Sequence, residues 1–148
     1  MATVARRGVL LLDSGGVSAI ATGNPVARAV LERARREARQ VAIPAAVLVE
    51  VVRGRPADAP IDRVIKAVGA TIELSAARAR AAVALRGRAL RSRAAASGDH
   101  APSVVDATVM AEAVAAGAAV ILTSDTDDME RLRDAAGSAG AQVVILRV

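Results

Sequence analysis

Closely spaced acidic residues are the feature of this sequence best suited to chemistry. Residues 119–132 combine an apolar run with a polar turn that carries Asp125, Asp127 and Asp128. Like charges this close repel one another unless a positive group lies among them. A helix N-terminus, an arginine or a metal ion could supply that positive charge, and the turn by itself is compatible with all three.

Three further acids lie apart in the sequence, and each has a structural explanation. Asp13 follows a short apolar run and could cap the turn after it. Asp106 is the third residue after Ser103, so the two could form a capping box. Glu50 stands in an apolar segment, where a lone buried carboxylate would cost several kcal/mol, although Arg53 could form a surface pair with it. A structural role is therefore hardest to find for Glu50.

Strand and helix patterns alternate along the chain. Short apolar runs predict strands at residues 8–12, 41–43, 70–74, 118–122 and 142–146. Periodic segments with capping residues predict helices at residues 17–21, 25–40, 45–52, 61–68, 75–96 and 103–116, and from the acidic turn to residue 136. This alternation predicts an α/β fold, with a mainly parallel sheet of about five strands flanked by helices, in a single domain over residues 1–148.

The predicted fold would bring four of the acids together. Asp13 and Asp125 follow strands, and ligands of parallel α/β sheets bind beyond the carboxyl ends of the strands. Glu50 and Asp106 would join them from helices. Carboxylate oxygens without histidine or cysteine partners are the ligands that Mg²⁺ and Mn²⁺ prefer. Such a site predicts metal-dependent hydrolysis of a phosphodiester.

The composition limits the other possibilities. The 148 residues contain no cysteine, which excludes disulfides and thiolate metal sites, and no Phe, Tyr or Trp, which excludes aromatic stacking on nucleic-acid bases. The net charge is +5, and Lys66 is the only lysine, so arginine supplies nearly all of the positive charge. Arginine suits phosphate contacts, so the helix at residues 75–96 is either an RNA-binding face or a solvated one. No targeting or membrane segment is recognisable, and we expect a soluble cytoplasmic protein.

Four motifs in order give the chain a family resemblance. They are VLLLDS at residues 9–14, PAAVLVEV at 44–51, VDATVMAEA at 105–113 and LTSDTDDM at 122–129. With these motifs the chain, from about residue 9 to residue 148, resembles the PIN-domain ribonucleases, and most closely the VapC-type toxins of bacterial toxin–antitoxin pairs. The resemblance implies a PIN-like domain, Mg²⁺-dependent endoribonuclease activity with Mn²⁺ as a possible substitute, a homodimer, and a cognate antitoxin that covers the site.

The same resemblance assigns roles to individual residues. Asp13 and Asp106 would be the principal metal ligands. The complete set comprises the catalytic and metal-binding acids Asp13, Glu50, Asp106 and Asp125, a fifth metal ligand, Asp128, and the supporting hydroxyls Thr123 and Ser124. Asp127 is left to favour the helix N-terminus, and His100, the only histidine, is given no role.

Two departures and two alternatives accompany this assignment. Met129 stands where many members have Phe, a substitution that a core should tolerate, and Gly15-Gly16 is expected to make the loop after Asp13 more flexible. One alternative is a phosphatase of the haloacid-dehalogenase type, but that class expects an acid at the position of Gly15 and a better placed lysine than Lys66. The other is a non-catalytic PIN-like module that binds RNA or protein, whose usual mark is the loss of one of the four acids.

Overall fold

A five-stranded parallel sheet forms the centre of the computed structural model, which describes residues 8–93 and 101–148. The strands are β1 (Val9–Leu12), β2 (Gln40–Pro44), β3 (Thr71–Ile72), β4 (Ala119–Thr123) and β5 (Val143–Arg147). Their order across the sheet is β3-β2-β1-β4-β5, and every neighbouring pair is parallel. All four residues of β1 are buried, as expected for a strand covered on both faces. The predicted α/β class is confirmed.

Seven α-helices in the described residues connect and cover these strands. They are α1 (Ser14–Ala21), α2 (Pro25–Arg36), α3 (Ala45–Val51), α4 (Ala59–Val68), α5 (Ala76–Arg93), α6 (Val104–Ala116) and α7 (Thr126–Ala135). Helix α1 contacts α2, α3 and α4, whereas α5, α6 and α7 contact one another. Right-handed crossovers between parallel strands place these two groups on opposite faces of the sheet.

The strand order creates a switch point between β1 and β4. From β1 the chain proceeds outward through β2 and β3, then returns to pair β4 with the other side of β1. Crossovers on the two sides of this point lie on opposite faces, which leaves a crevice at the carboxyl ends of the two strands. Asp13 directly follows β1, and Ser124 directly follows β4. The fold therefore delivers both motifs to this crevice.

The prediction of a flexible loop at Gly15-Gly16 is wrong. Helix α1 already begins at Ser14, and both glycines lie in its first turn. A Cβ atom on Gly15 would overlap the Ser124 side chain, and one on Gly16 would lie 2.5 Å from the Leu122 carbonyl oxygen. The glycines thus let α1 pack directly against the end of β4. The segment is constrained by this close approach.

Several element boundaries differ from the prediction. Helix α2 ends at Arg36 instead of residue 40, because Gln40 already pairs with the central strand as the first residue of β2. Strand β3 has only two residues. Helix α5 is described to Arg93; its predicted continuation to residue 96, most of the predicted break at 97–102, and His100 lie outside the described residues.

Candidate active site

Asp13 is a buried carboxylate at the end of the central strand. Its backbone N–H donates to the Leu122 carbonyl (3.3 Å), and its Oδ1 accepts from the Gly16 N–H (2.7 Å) as the N-cap of α1. Only 4% of the residue is exposed. Burial raises the pKa of Asp13 from 3.8 to about 6, against hydrogen bonds from Thr123 and Gly16, and the nearby Asp106 charge raises it further. The carboxylate is thus both a cap and an electrostatically unfavourable group.

Thr123 connects the two strand ends that carry the acids. Its side chain is completely buried, and its hydroxyl accepts the backbone N–H of Asp125 at 2.9 Å. The same hydroxyl hydrogen-bonds the Asp13 carboxylate and lowers its pKa. Ser124, the other predicted supporting residue, is exposed and lies against Gly15. Thr123 therefore orients Asp13, while Ser124 faces the crevice.

Asp106 approaches Asp13 from the first turn of α6. Its Oδ2 accepts from the Ser103 hydroxyl (2.8 Å) and backbone N–H (3.2 Å), and the Ser103 hydroxyl accepts from the Asp106 N–H (3.0 Å). Burial raises the pKa of Asp106, and the charges of Glu50 and Asp128 raise it further, against the Ser103 hydrogen bonds. Asp106 is therefore the acid whose charge interacts with those of Asp13, Glu50 and Asp128.

Glu50 lies in a different environment from the one predicted. The sequence suggested a buried carboxylate, but Glu50 is exposed near the end of α3, and its neighbour Val49 is 81% exposed. Its Oε2 accepts a hydrogen bond from the Ser14 hydroxyl in the first turn of α1. No ion pair joins Glu50 to Arg53 within the part of the chain that the structure describes. Glu50 thus lies at the solvent edge of the acidic group.

The two acids of the β4–α7 turn occupy different environments. Asp128 is buried, with 3% of the residue exposed, and its Oδ1 lies 3.2 Å from Arg131 Nη1. Its charge acts on Asp106. Asp125 is exposed and serves as the N-cap of α7, where its Oδ1 accepts from the Asp128 N–H at 3.2 Å. Asp127 is also exposed in the first turn of that helix.

A polar cleft opens beside these acids. Its volume is about 670 Å³, and it runs from the Glu50 edge of the site to the loop before α4. Its polar lining residues are Ser14, Ser18, Thr22, Asn24, Glu50, Arg53, Arg55, Asp58 and Ser124. These hydroxyl and charged groups can hydrogen-bond a polar ligand and fix its orientation.

The acids converge without forming a closed metal shell. Among residues 8–93 and 101–148, no three His, Cys, Asp or Glu side chains lie close enough together to hold a metal ion. Magnesium does not require three, because it is commonly held by one or two carboxylates with water and phosphate as the other ligands. Asp13 and Asp106 supply two hard oxygen donors whose charges act on each other. A divalent cation fits this pair, because it would offset their repulsion.

Arginines of α5 have structural roles at three positions. Arg78 Nε lies 3.2 Å from Glu112 Oε2 in an ion pair with α6. Arg86 Nε donates to the Pro102 carbonyl (2.8 Å), and Arg88 Nε donates to the Ala135 carbonyl at the end of α7 (2.9 Å). These side chains therefore tie α5 to neighbouring elements.

The sequence interpretation missed three contributors to the site. Ser14 holds Glu50, Arg131 contacts Asp128, and Asp58 organises the loop at the far end of the cleft. The i, i+3 spacing of Asp128 and Arg131 was a signal for the second. The contacts made by Ser14 and Asp58 depend on how helices and loops pack, and no local sequence pattern predicts them.

Comparison with known proteins supports the fold. No protein-family model and no curated protein matches the sequence. Among solved structures, the chain is similar to one in VapBC2 from Rickettsia felis bound to a DNA fragment from their promoter, with a TM-score of 0.64 and 16% identity over 95% of this chain and 98% of that one. It is also similar to a chain of FitAB bound to an IR36 DNA fragment, with a TM-score of 0.63 and 17% identity over 93% and 94% of the two chains.

These similarities extend over nearly the full length of each chain at low identity, and they show a shared fold. The expected PIN-like α/β fold is thereby confirmed. No helix in the described residues is both long enough and apolar enough to cross a membrane.

Proposed function

We propose that this chain is a metal-dependent endoribonuclease of the VapC type, the toxin component of a toxin–antitoxin pair. The observation that carries the proposal is the approach of Asp13 and Asp106, two carboxylates with raised pKa, at the switch point of a parallel sheet. Perturbed carboxyl groups concentrate at functional sites, and ligands of parallel α/β sheets bind in crevices of this kind.

In this proposal Asp13 and Asp106 hold Mg²⁺, with Mn²⁺ as a substitute. The bound ion would supply positive charge beside the scissile phosphate and favour ionisation of water. The Thr123 hydroxyl and the Gly16 N–H fix the orientation of Asp13, and Ser103 fixes that of Asp106. Each carboxylate thus has its position set before a ligand arrives, which lowers the cost of organising the site.

The remaining acids have distinct tasks. Glu50 is exposed at the cleft, so its carboxylate can accept a hydrogen bond from water near the phosphate, while Ser14 restrains its rotation. Asp128 adds negative charge next to Asp106. Asp125 holds the first turn of α7 in place and stays accessible to solvent as a further ligand.

RNA, an antitoxin and a second copy of the chain are the proposed partners. Hydroxyl and charged residues line the cleft and the sequence has no aromatic residue, which favours recognition through backbone phosphates and hydroxyls. The similar chains belong to VapBC2 and FitAB, so a protein partner that covers the site is part of the proposal. The homodimer follows from the resemblance of the four motifs.

Cleavage of total RNA with Mg²⁺, with Mn²⁺ and with a chelator tests this function. We expect cleavage with either ion and none with the chelator. Asp13→Asn and Asp106→Asn should abolish it, whereas Asp134→Asn, which alters an exposed acid far along α7, should cleave like the wild type. Full activity of both site variants would contradict the proposal.

A further inference from the structure

The loop between α3 and α4 forms the far wall of the cleft. This rim loop (residues 53–58) contributes Arg53, Arg55, Ala57 and Asp58 to the lining, and the acidic end contributes Glu50. The cleft therefore runs from Glu50, at the edge of the acidic group, to an end that carries two arginines. A ligand bound along it would meet both.

Asp58 fixes the backbone of the rim loop. Its Oδ2 accepts the backbone N–H of Arg53 at 2.7 Å and of Arg55 at 3.1 Å, and its side chain is largely buried beneath them. These hydrogen bonds hold the pKa of Asp58 below its usual range, because they stabilise the charged carboxylate. Gly54 lies between the two arginines with φ of +69°, which allows the sharp turn. The loop is thus held in one conformation.

Both rim arginines are exposed, and both line the cleft. They differ in this from Arg78, Arg86 and Arg88 of α5, which are engaged with other parts of the fold. Arginine binds phosphate through paired N–H donors, so each of the two rim arginines can contact one phosphate of a nucleic-acid backbone.

We propose that the rim loop is a phosphate-binding element, in which Arg53 and Arg55 hold RNA phosphates away from the scissile one. Asp58 is the positioning residue that presents them. This inference rests on the proposed ribonuclease function and assigns it the residues that hold the substrate strand. Contact through phosphates is independent of base sequence, so the loop should contribute affinity for single-stranded RNA in general.

Salt-dependent RNA binding tests the assignment. The probe is a short fluorescein-labelled single-stranded RNA of mixed sequence, titrated in chelator so that no cleavage occurs, with anisotropy as the readout. Replacing Arg53 and Arg55 together with Ala should weaken binding about tenfold or more and make the log–log salt slope less steep by about 1.4, since each contact to a single strand contributes about 0.7.

The matched control replaces Arg36 and Arg63 together with Ala. Both are exposed, neither lines the cleft, and the change in net charge is the same. We expect this variant to keep the wild-type slope. Equal slopes for the rim variant and the wild type would overturn the inference, as would equal losses in the rim and control variants.

Two further outcomes separate this inference from the proposed function. If the wild type cleaves RNA and the rim variant binds RNA normally, the function stands and the inference fails. If the rim variant loses affinity for a labelled poly-glutamate peptide but not for RNA, the loop serves an acidic protein segment and the inference again fails. A wild type that neither binds nor cleaves RNA would overturn both.

A double-mutant cycle tests the role of Asp58. Asp58→Ala should reduce RNA affinity and the salt slope in the wild type, yet cause little further loss when Arg53 and Arg55 are already Ala. Such non-additivity is expected only if Asp58 acts through these two side chains. Equal losses in both backgrounds would assign Asp58 to general stability instead.

Discussion

Ser103 and Asp106 hydrogen-bond each other's side chains and backbone N–H groups at the start of α6. Both bonds to the carboxylate use Oδ2, so capping leaves Oδ1 unused by Ser103. The pair combines a structural role and a proposed chemical one in a single carboxylate. This arrangement explains why the capping-box interpretation and the site interpretation of Asp106 were never in conflict.

Ser103→Ala should lower the free energy of unfolding by about 1 kcal/mol, because α6 loses its side-chain cap and the Asp106 carboxylate loses the hydroxyl, one of its two donors from Ser103. Urea denaturation in chelator measures this. Ser138→Ala, at an exposed serine of the Gly137–Gly140 turn, is the control and should be neutral. Equal effects of the two changes would contradict the role of the pair.

In the metal-free protein, the contribution of Asp13 to stability should fall as pH rises from about 4 to about 6. The folded-state pKa of Asp13 is about 6 against an ordinary value of 3.8, so in this window the folded state binds more protons than the unfolded state. Asp13→Asn removes this effect. Its stability relative to the wild type should therefore increase with pH, by on the order of 3 kcal/mol in total. A pH-independent difference in urea denaturation would contradict the raised pKa.

Divalent ions should stabilise the wild type, because they bind the folded state only. The gain is about 2.7 kcal/mol when free Mg²⁺ exceeds its Kd about 100-fold. Asp13→Asn and Asp106→Asn should lose the gain, and Asp134→Asn should keep it. Thermal denaturation with Mg²⁺, Mn²⁺ and chelator provides the measurement. An unchanged gain in both site variants would exclude these acids as ligands.

Gly16→Ala should destabilise the protein by about 1–3 kcal/mol, since its Cβ would lie 2.5 Å from the Leu122 carbonyl oxygen. Gly87→Ala is a control of opposite sign. Gly87 lies within α5, and its Cβ would meet only the flexible end of Arg91 at 3.3 Å, so this change should stabilise by about 0.5–1 kcal/mol. Urea denaturation of both variants measures the two changes in the free energy of unfolding. A Gly16→Ala variant as stable as the wild type would contradict the close approach of α1 to β4.

Asp128→Asn should lower the pKa of Asp106, because a neighbouring negative charge is removed. Asp127→Asn changes an exposed residue one position earlier and should have a smaller effect. Carboxyl-carbon NMR titration of Asp106 in chelator distinguishes the two. Equal changes in the Asp106 pKa would show that the charge of Asp128 acts on Asp106 no more strongly than the charge of Asp127.

The α/β fold and most of the candidate site acids could be predicted from the sequence, because the patterns that indicate them lie in adjacent residues. Short apolar runs, caps such as Ser103, and the position of Asp13 at a strand end can be read from adjacent residues. The exposure of Glu50 could not, because α3 has only seven residues and its apolar neighbour Val49 faces solvent instead of a core. Apolar neighbours in sequence do not guarantee a buried environment.

The environments of Asp125 and Asp128 likewise depended on tertiary structure. The two are three residues apart, so both belong to the first turn of α7 or its cap, and sequence alone does not say which one points inward. The packing of α7 against the sheet and α6 decides this in favour of Asp128. The Gly15-Gly16 contact with β4 is a similar case, since the partner lies more than a hundred residues away.

The backbone hydrogen bond from Asp13 to Leu122 has a consequence for how this architecture can diversify. This bond holds the ends of β1 and β4 at the normal spacing of neighbouring strands, so the sheet sets the distance between them. The rim loop stands outside that framework and is held by a single carboxylate. Its sequence can therefore be exchanged while the relative positions of Asp13 and the end of β4 stay the same.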